Sequence, residues 1–193
     1  MIFEVLGVLS AVIFLCGDVP YLQDTINKKI KPHRVTWGIV FILNIVGFAN
    51  QYAAGARNSL WLFGAAVFMT GAIFVASLKN GVGGYAKLDI FSLVTAVIGI
   101  ILWQTFNSPL LSVATNVLVA VVALIPSFVK AHSHPDTENG IAYVGGMISS
   151  LLAAISVGKI DVVLLLLPIT SVLLQAHMVH LLYVRPRLIN RHA

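Results

Sequence analysis

The stretch VPYLQDTINKKIKPHRVTW, residues 19–37, connects two apolar runs and carries four positive charges. Pro20 lies near the end of the first run, and Trp37 opens the second. The whole chain is 59% hydrophobic and 10% charged, whereas an ordinary soluble domain is roughly 25% charged. This composition predicts a protein embedded in a lipid bilayer, where a short basic connection orients the flanking helices.

Several classes of protein and of site are disfavoured by the sequence. The net charge of +5 does not indicate nucleic-acid binding, because the basic residues lie between and after apolar runs. Cys16 is the only cysteine, so the chain can form neither an internal disulfide nor a cysteine metal cluster. Glu4 stands where a signal peptide would carry a basic residue, so the first run is expected to remain as a helix.

Seven apolar segments approach the roughly 20 residues that a helix needs to cross the hydrocarbon. Backbone amides in lipid must be satisfied within a helix or a closed barrel, and these segments lack the alternation of barrel strands. We therefore predict helical spans at residues 2–22, 35–54, 59–78, 88–106, 110–129, 140–157 and 160–184.

The basic residues are distributed unequally between the two sides of these spans. Arg57 and Lys159 are on one side, and the other ten are on the side of residues 19–37. By the positive-inside rule the N-terminus is predicted outside and the C-terminus in the cytoplasm. Short loops are consistent with a bacterial plasma membrane. The ten residues are Lys28, Lys29, Lys31, Arg34, Lys79, Lys87, Lys130, Arg185, Arg187 and Arg191.

A second stretch, IPSFVKAHSHPDTENGIAY at residues 125–143, matches the layout of the first after a shift of 106 positions. Pro20 falls on Pro126, and Trp37 falls on Tyr143. Two three-helix units then flank span 4 in the same orientation, as parallel repeats do. We predict an all-α membrane protein of seven transmembrane helices in a 3+1+3 arrangement. Its parts are a first repeat (1–79), a linker with the fourth helix (80–106), a second repeat (107–185) and a short cytoplasmic tail (186–193).

This layout, with a proline-centred stretch in spans 1 and 5, resembles the PQ-loop superfamily. That superfamily includes the SWEET sugar transporters, the bacterial SemiSWEET relatives and cystinosin-type transporters. A proline inside a helix removes a hydrogen bond and bends the helix. The resemblance implies that Pro20 and Pro126 are hinges for alternating access. The chain departs from the family pattern where the glutamine after each proline is replaced by Tyr21 and Ser127.

Polar side chains fall near the middle of several spans, where unpaired hydrogen-bonding groups are costly. The shift of 106 positions pairs a residue of one repeat with a residue of the other at the same depth. Such a set could bind a small polar solute. Hydrogen bonds between helices, worth about 0.6 kcal/mol each, are the alternative role. The predicted binding residues are Ser10, Asn44, Thr70, Asn116, Ser150 and Gln175.

Asp18 is an acidic residue within span 1, and its counterpart in the second repeat is Leu124. An ionised side chain at the centre of a span costs roughly 2.5–3.5 kcal/mol. Asp18 is therefore a candidate for proton coupling, as acidic residues are in cystinosin-like relatives. The alternative is an interfacial carboxylate that pairs with a basic residue of the stretch 19–37.

These features predict a transporter of a small sugar-like or amino-acid-like solute that works by alternating access. Two repeats can enclose one pathway, so a monomer suffices and a homo-oligomer is compatible with it. The alternative is a receptor or sorting protein on the same scaffold that does not transport. We predict no enzyme, no cofactor and no metal. His177 and His180 share a helix face, but two histidines are too few for a catalytic zinc site.

Overall fold

The computed structural model describes residues 1–84, 86–105 and 108–185, and this part of the chain contains seven α-helices and no β-strand. The prediction of an all-α fold is confirmed. The predicted tail, with Arg187 and Arg191, lies outside the described residues. The helices are α1 (Ile2–Ile26), α2 (Arg34–Ala53), α3 (Leu60–Asn80), α4 (Lys87–Thr105), α5 (Pro109–Ser133), α6 (Gly140–Ser156) and α7 (Val162–Val179), which a π-helix (His180–Val184) continues.

Among the described residues, five helices are long and apolar enough to cross a bilayer: α1, α2, α3, α5, and α7 with its π-helical extension. α6 is also apolar but shorter: it has 17 residues and spans about 26 Å, somewhat less than a hydrocarbon layer of about 30 Å. Large apolar side chains such as Phe68 and Leu173 are more than 60% exposed. Exposed apolar surface of this kind is stable in lipid, and the fold is that of an integral membrane protein.

The helix packing encloses a central space. α3 packs against both α1 and α2, and α7 packs against both α5 and α6. α1 lies along α6, and α2 lies along α5, while α4 packs on α5 and α2. α1 and α6 lie close together at two glycines, where a Cβ added to Gly145 would lie 3.1 Å from the Cα of Gly17. Glycines at this crossing therefore bring the two backbones into contact.

Two helices, each with an internal proline, end four residues later than the sequence predicts. α1 continues six residues past Pro20, and α5 continues seven residues past Pro126. A proline leaves unpaired the carbonyl four residues before it. For Pro126 this is the carbonyl of Val122, which accepts a hydrogen bond from Ser92 on α4 at 3.4 Å.

One end of the bundle, which we call the basic face, collects the loops 27–33 and 134–139. Lys130 at the end of α5 donates to the carbonyl of Lys31. Asn80 at the end of α3 donates to the carbonyl of Thr25 at 3.1 Å. Of the described basic residues, only Arg57 and Lys159 lie at the other end. The basic face holds Lys28, Lys29, Lys31, Arg34, Lys79, Lys87, Lys130 and Arg185.

Candidate functional site

A cavity of about 170 Å³ lies between the helices, with walls from α1, α2, α3, α5, α6 and α7. Most of its lining is apolar, and a small number of polar groups face it. This composition is typical of sites for small molecules, where apolar walls exclude water and a few polar groups fix the ligand. The polar residues that line it are Asp18, Thr36, Asn44, Thr70, Asn116, Ser127, Ser150, Thr170, Ser171 and Gln175.

Five of the six predicted binding residues line this cavity: Asn44, Thr70, Asn116, Ser150 and Gln175. The structure therefore brings together side chains from α2, α3, α5, α6 and α7.

Ser10 is the exception, because it lies outside the cavity wall. It is fully buried, and its hydroxyl donates to the carbonyl of Gly7 in the preceding turn of α1 at 2.6 Å. Eight residues separate it from Asp18, which corresponds to about 12 Å along a helix. The shift of 106 positions pairs Ser10 with Asn116, but only Asn116 lines the cavity.

Several polar side chains of the wall also bond between helices, as the alternative interpretation proposed. Asn44 on α2 donates to the hydroxyl of Thr70 on α3 at 3.4 Å. Asn116 on α5 donates to the carbonyl of Leu43 on α2 at 3.1 Å, and Ser150 donates to Ser171 at 2.9 Å. Each amide still has acceptor capacity in its side-chain carbonyl. The two roles therefore coexist, since the helix contacts fix the side chains that face the cavity.

Gln175 differs from the other amides because it makes no hydrogen bond within the described ranges. Its side chain lies against α6 at Gly146, where an added Cβ would come within 2.7 Å of the Gln175 Nε2. Gly146 thus leaves the room that the Gln175 side chain occupies, and both the donor and the acceptor of its amide are free for a solute.

Asp18 lines the cavity and is 4% exposed. Within the described ranges no hydrogen bond or ion pair reaches its carboxylate. Two of the basic residues that could have paired with it are engaged elsewhere: Lys29 lies 3.6 Å from Asp24, and Arg34 donates to the carbonyl of Gly81. Asp18 therefore forms no interfacial salt bridge with a described residue.

A polar cluster that the sequence did not predict lies between the cavity and the basic face. Trp37 and Tyr143 line the cavity, and Tyr21 lies behind them, fully buried. The hydroxyls of Tyr21 and Tyr143 both donate to Oε2 of Glu138, at 2.7 and 2.9 Å. The indole of Trp37 donates to the hydroxyl of Tyr21 at 3.2 Å.

Lys130 completes this group, which we call the Glu138 cluster (Tyr21, Trp37, Lys130, Glu138 and Tyr143). Its ammonium group lies 2.5 Å from Oε1 of Glu138, whose side chain is 0% exposed. The cluster joins α1, α2, α5 and α6 across the basic end of the cavity. The matching positions of Trp37 and Tyr143 in the two repeats were visible in the sequence, but their contact with one carboxylate depends on the packing of α1 against α6.

The three helix prolines have different relations to the cavity. Pro20 and Pro126 do not line it, although their neighbours Tyr21 and Ser127 belong to the cluster and to the wall. Pro168, which has no counterpart in the predicted first repeat, does line it. The carbonyl of Leu164, left unpaired by Pro168, accepts a hydrogen bond from the buried amide of Gln51 at 3.2 Å.

A second buried pair connects α4 to the start of α2 at the basic face. Nε2 of His33 lies 3.1 Å from Oδ1 of Asp89, and Nδ1 accepts from the backbone of Thr36, which caps α2. A nitrogen that accepts carries no proton, so this geometry requires a neutral ring. Burial lowers the pKa of His33, while the carboxylate of Asp89 partly offsets that effect.

His177 and His180 do not form a metal site with other described residues. Both side chains are exposed, and the ring of His177 packs edge-on against Phe128 with centroids 4.8 Å apart. Within the described ranges, no three His, Cys, Asp or Glu side chains are grouped so that they could hold a metal ion.

No protein-family model, curated protein or solved structure matches the chain.

Proposed function

We propose that the protein is a membrane transporter for a small solute, which binds in the cavity and reaches the two sides of the membrane in turn. The observation that carries this proposal is the position of the cavity. It lies between helices of both predicted repeats, is lined by fixed polar groups, and ends toward the basic face at the Glu138 cluster. A binding cavity that is closed on one side by breakable polar contacts suits alternating access.

The helix packing supports the proposed 3+1+3 arrangement. A shift of 106 positions moves α1 onto residues 108–132, and α5 spans Pro109–Ser133. The third helix of each predicted repeat packs against the other two helices of that repeat. The residues that cap α2 and α6 with their side chains, His33 and Asn139, also coincide after the shift. These correspondences favour two parallel repeats and a place in the PQ-loop superfamily.

The distribution of charge supports a cytoplasmic basic face. Basic residues are retained on the cytoplasmic side of membrane proteins, and all the described ones except Arg57 and Lys159 lie at the basic face. In this orientation the Glu138 cluster is the cytoplasmic gate, and the N-terminus is outside.

Opening of this gate requires α1 and α6 to separate near the basic face. The hydrogen bonds from Tyr21 and Tyr143 to Glu138 must break, while the contact between Gly17 and Gly145 can serve as the point about which the helices turn. Pro20 lies between Gly17 and the end of α1, where a missing backbone hydrogen bond makes bending easier. We propose that Pro126 has the same role in α5.

Counterflow in liposomes tests the proposal. Vesicles that contain the purified chain are loaded with pooled sugars, amino acids and amines, and uptake of labelled members is measured with and without a pH gradient. We expect saturable exchange of at least one solute, and slower exchange in an Asn116→Ala variant than in the wild type. Absence of exchange from folded, oriented protein across the panel would contradict transport and would favour the receptor alternative.

If a pH gradient drives uptake, Asp18→Asn should abolish that dependence, because the variant cannot bind and release the proton. An unchanged dependence would exclude Asp18 from proton coupling.

A further inference from the structure

Asp18 brings a carboxylate into the cavity. Among the described residues that line the cavity it is the only acidic one, and none of them is lysine, arginine or histidine. Its side chain is 4% exposed, and within the described ranges nothing donates a hydrogen bond to it. A buried carboxylate without a partner is costly, so a ligand that brings positive charge would stabilise it.

Aromatic side chains surround the same cavity. Phe14 precedes Asp18 by four residues on α1, so the two side chains share one face of the helix. Trp37, Phe128 and Tyr143 line the cavity from α2, α5 and α6. The faces of aromatic rings attract cations, and a site that excludes water strengthens this attraction.

We propose that the solute is a small organic amine, whose ammonium group pairs with the Asp18 carboxylate while its apolar part lies among the aromatic rings. An amino acid fits less well, because the described wall has no cationic side chain to pair with its carboxylate. A sugar fits less well, because most of the wall is apolar and would leave hydroxyls unpaired. That the amine is moved across the membrane rests on the proposed function. That the amine binds in the cavity does not, because binding can be measured without transport.

The cavity volume limits the size of the amine. A dry cavity of about 150 Å³ in another protein holds benzene, and the present cavity of about 170 Å³ is similar. We therefore expect a solute of roughly five to nine non-hydrogen atoms. Butylamine, cyclohexylamine and phenethylamine cover this range, and each has an alcohol of the same shape without the charge.

Equilibrium binding to the full chain in nanodiscs tests the inference by calorimetry, with empty nanodiscs subtracted. We expect at least one of the three amines to bind at least about tenfold more tightly than its matched alcohol, in keeping with a hydrogen bond to a charged group. It should also bind more tightly than phenylalanine, which adds an unpaired carboxylate. Asp18→Asn should remove the preference for the amine. The control Glu4→Gln makes the same charge change at an exposed position of α1 and should keep the preference.

The inference is overturned if no amine binds more tightly than its alcohol, or if folded Asp18→Asn retains the preference. If that variant does not fold, the comparison of amines with alcohols on the wild-type chain decides by itself. Amine binding without exchange in liposomes would contradict transport and leave the ligand class intact. Exchange of neutral solutes without amine binding would support transport and overturn the ligand class.

Discussion

At the scale of single residues, His33 combines a structural role with sensitivity to pH. Its Nδ1 caps α2 and its Nε2 contacts Asp89, an arrangement that the neutral ring can make and the protonated ring cannot. Burial lowers its pKa below the usual 6.5, so the unfolded chain takes up the proton at a higher pH than the folded chain. The stability that His33 contributes is therefore present above pH 6.5 and is lost as the pH falls toward the lower, folded-state pKa.

The loss of stability at low pH can be tested with His33→Asn, because asparagine caps helices well and does not titrate. Asn139 already caps α6 in this way. We expect the unfolding temperature of the purified wild-type chain to fall more steeply than that of the variant between about pH 7 and about pH 5. Parallel curves for the two proteins would show that protonation of His33 does not affect stability.

The residues that the sequence could predict are those whose depth follows from helix length. Asn44, Thr70, Asn116, Ser150 and Gln175 lie near the middle of spans whose ends are marked by charge, so their convergence on one cavity was foreseeable. Glu138 was not, because it lies in a short polar loop, and the sequence does not show which side chains pack against that loop. Its partners are 117 residues away at Tyr21 and five residues away at Tyr143, and only the packing of α1 on α6 joins them.

At the scale of helices, the prolines are accommodated by side chains from neighbouring helices. Pro168 leaves the carbonyl of Leu164 without its helical partner, and Gln51 on α2 donates to it. An unsatisfied buried carbonyl costs about 1–3 kcal/mol, which explains why a fully buried glutamine faces this point of α7. The sequence did not identify Gln51 as this donor, because its place beside α7 follows only from the packing of the helices.

A double-mutant cycle tests this compensation. Gln51→Leu should lower the free energy of unfolding by about 1–3 kcal/mol, because the Leu164 carbonyl is left unpaired. In a Pro168→Ala background the same change should cost less, because the substituted alanine has a backbone N–H that can restore the helical hydrogen bond. Unfolding in denaturing detergent gives the four stabilities. Equal costs of Gln51→Leu in both backgrounds would contradict the compensation.

At the scale of the whole molecule, apolar periodicity and loop charge are strong signals, because lipid imposes both helix length and hydrophobicity. The all-helical fold and its membrane-spanning character could therefore be predicted. The contacts that close the basic end of the cavity could not be predicted, because they connect loops and helix termini that are far apart in the chain. One such contact is Asn139 with Asp24 at 2.7 Å. Another is Tyr21 with Glu138 at 2.7 Å.

Alternating access about the cavity is the central claim, and the accessibility of one cavity residue from each side of the membrane tests it most directly. Ser150→Cys places a thiol in the cavity wall with little change of size, and Cys16→Ser removes the only native cysteine. Modification by a membrane-impermeant thiol reagent is then measured in right-side-out and inside-out vesicles. Glu138→Gln weakens the Glu138 cluster, and Asp136→Asn at an exposed position of the same loop is the control.

We expect the thiol to react faster from the side opposite the basic face when Glu138 is intact. Glu138→Gln should raise the rate from the basic face and lower the rate from the opposite side, because the two openings exclude each other, whereas Asp136→Asn should leave both rates unchanged. Unchanged rates in Glu138→Gln, or a rise on both sides together, would contradict alternating access at this cavity.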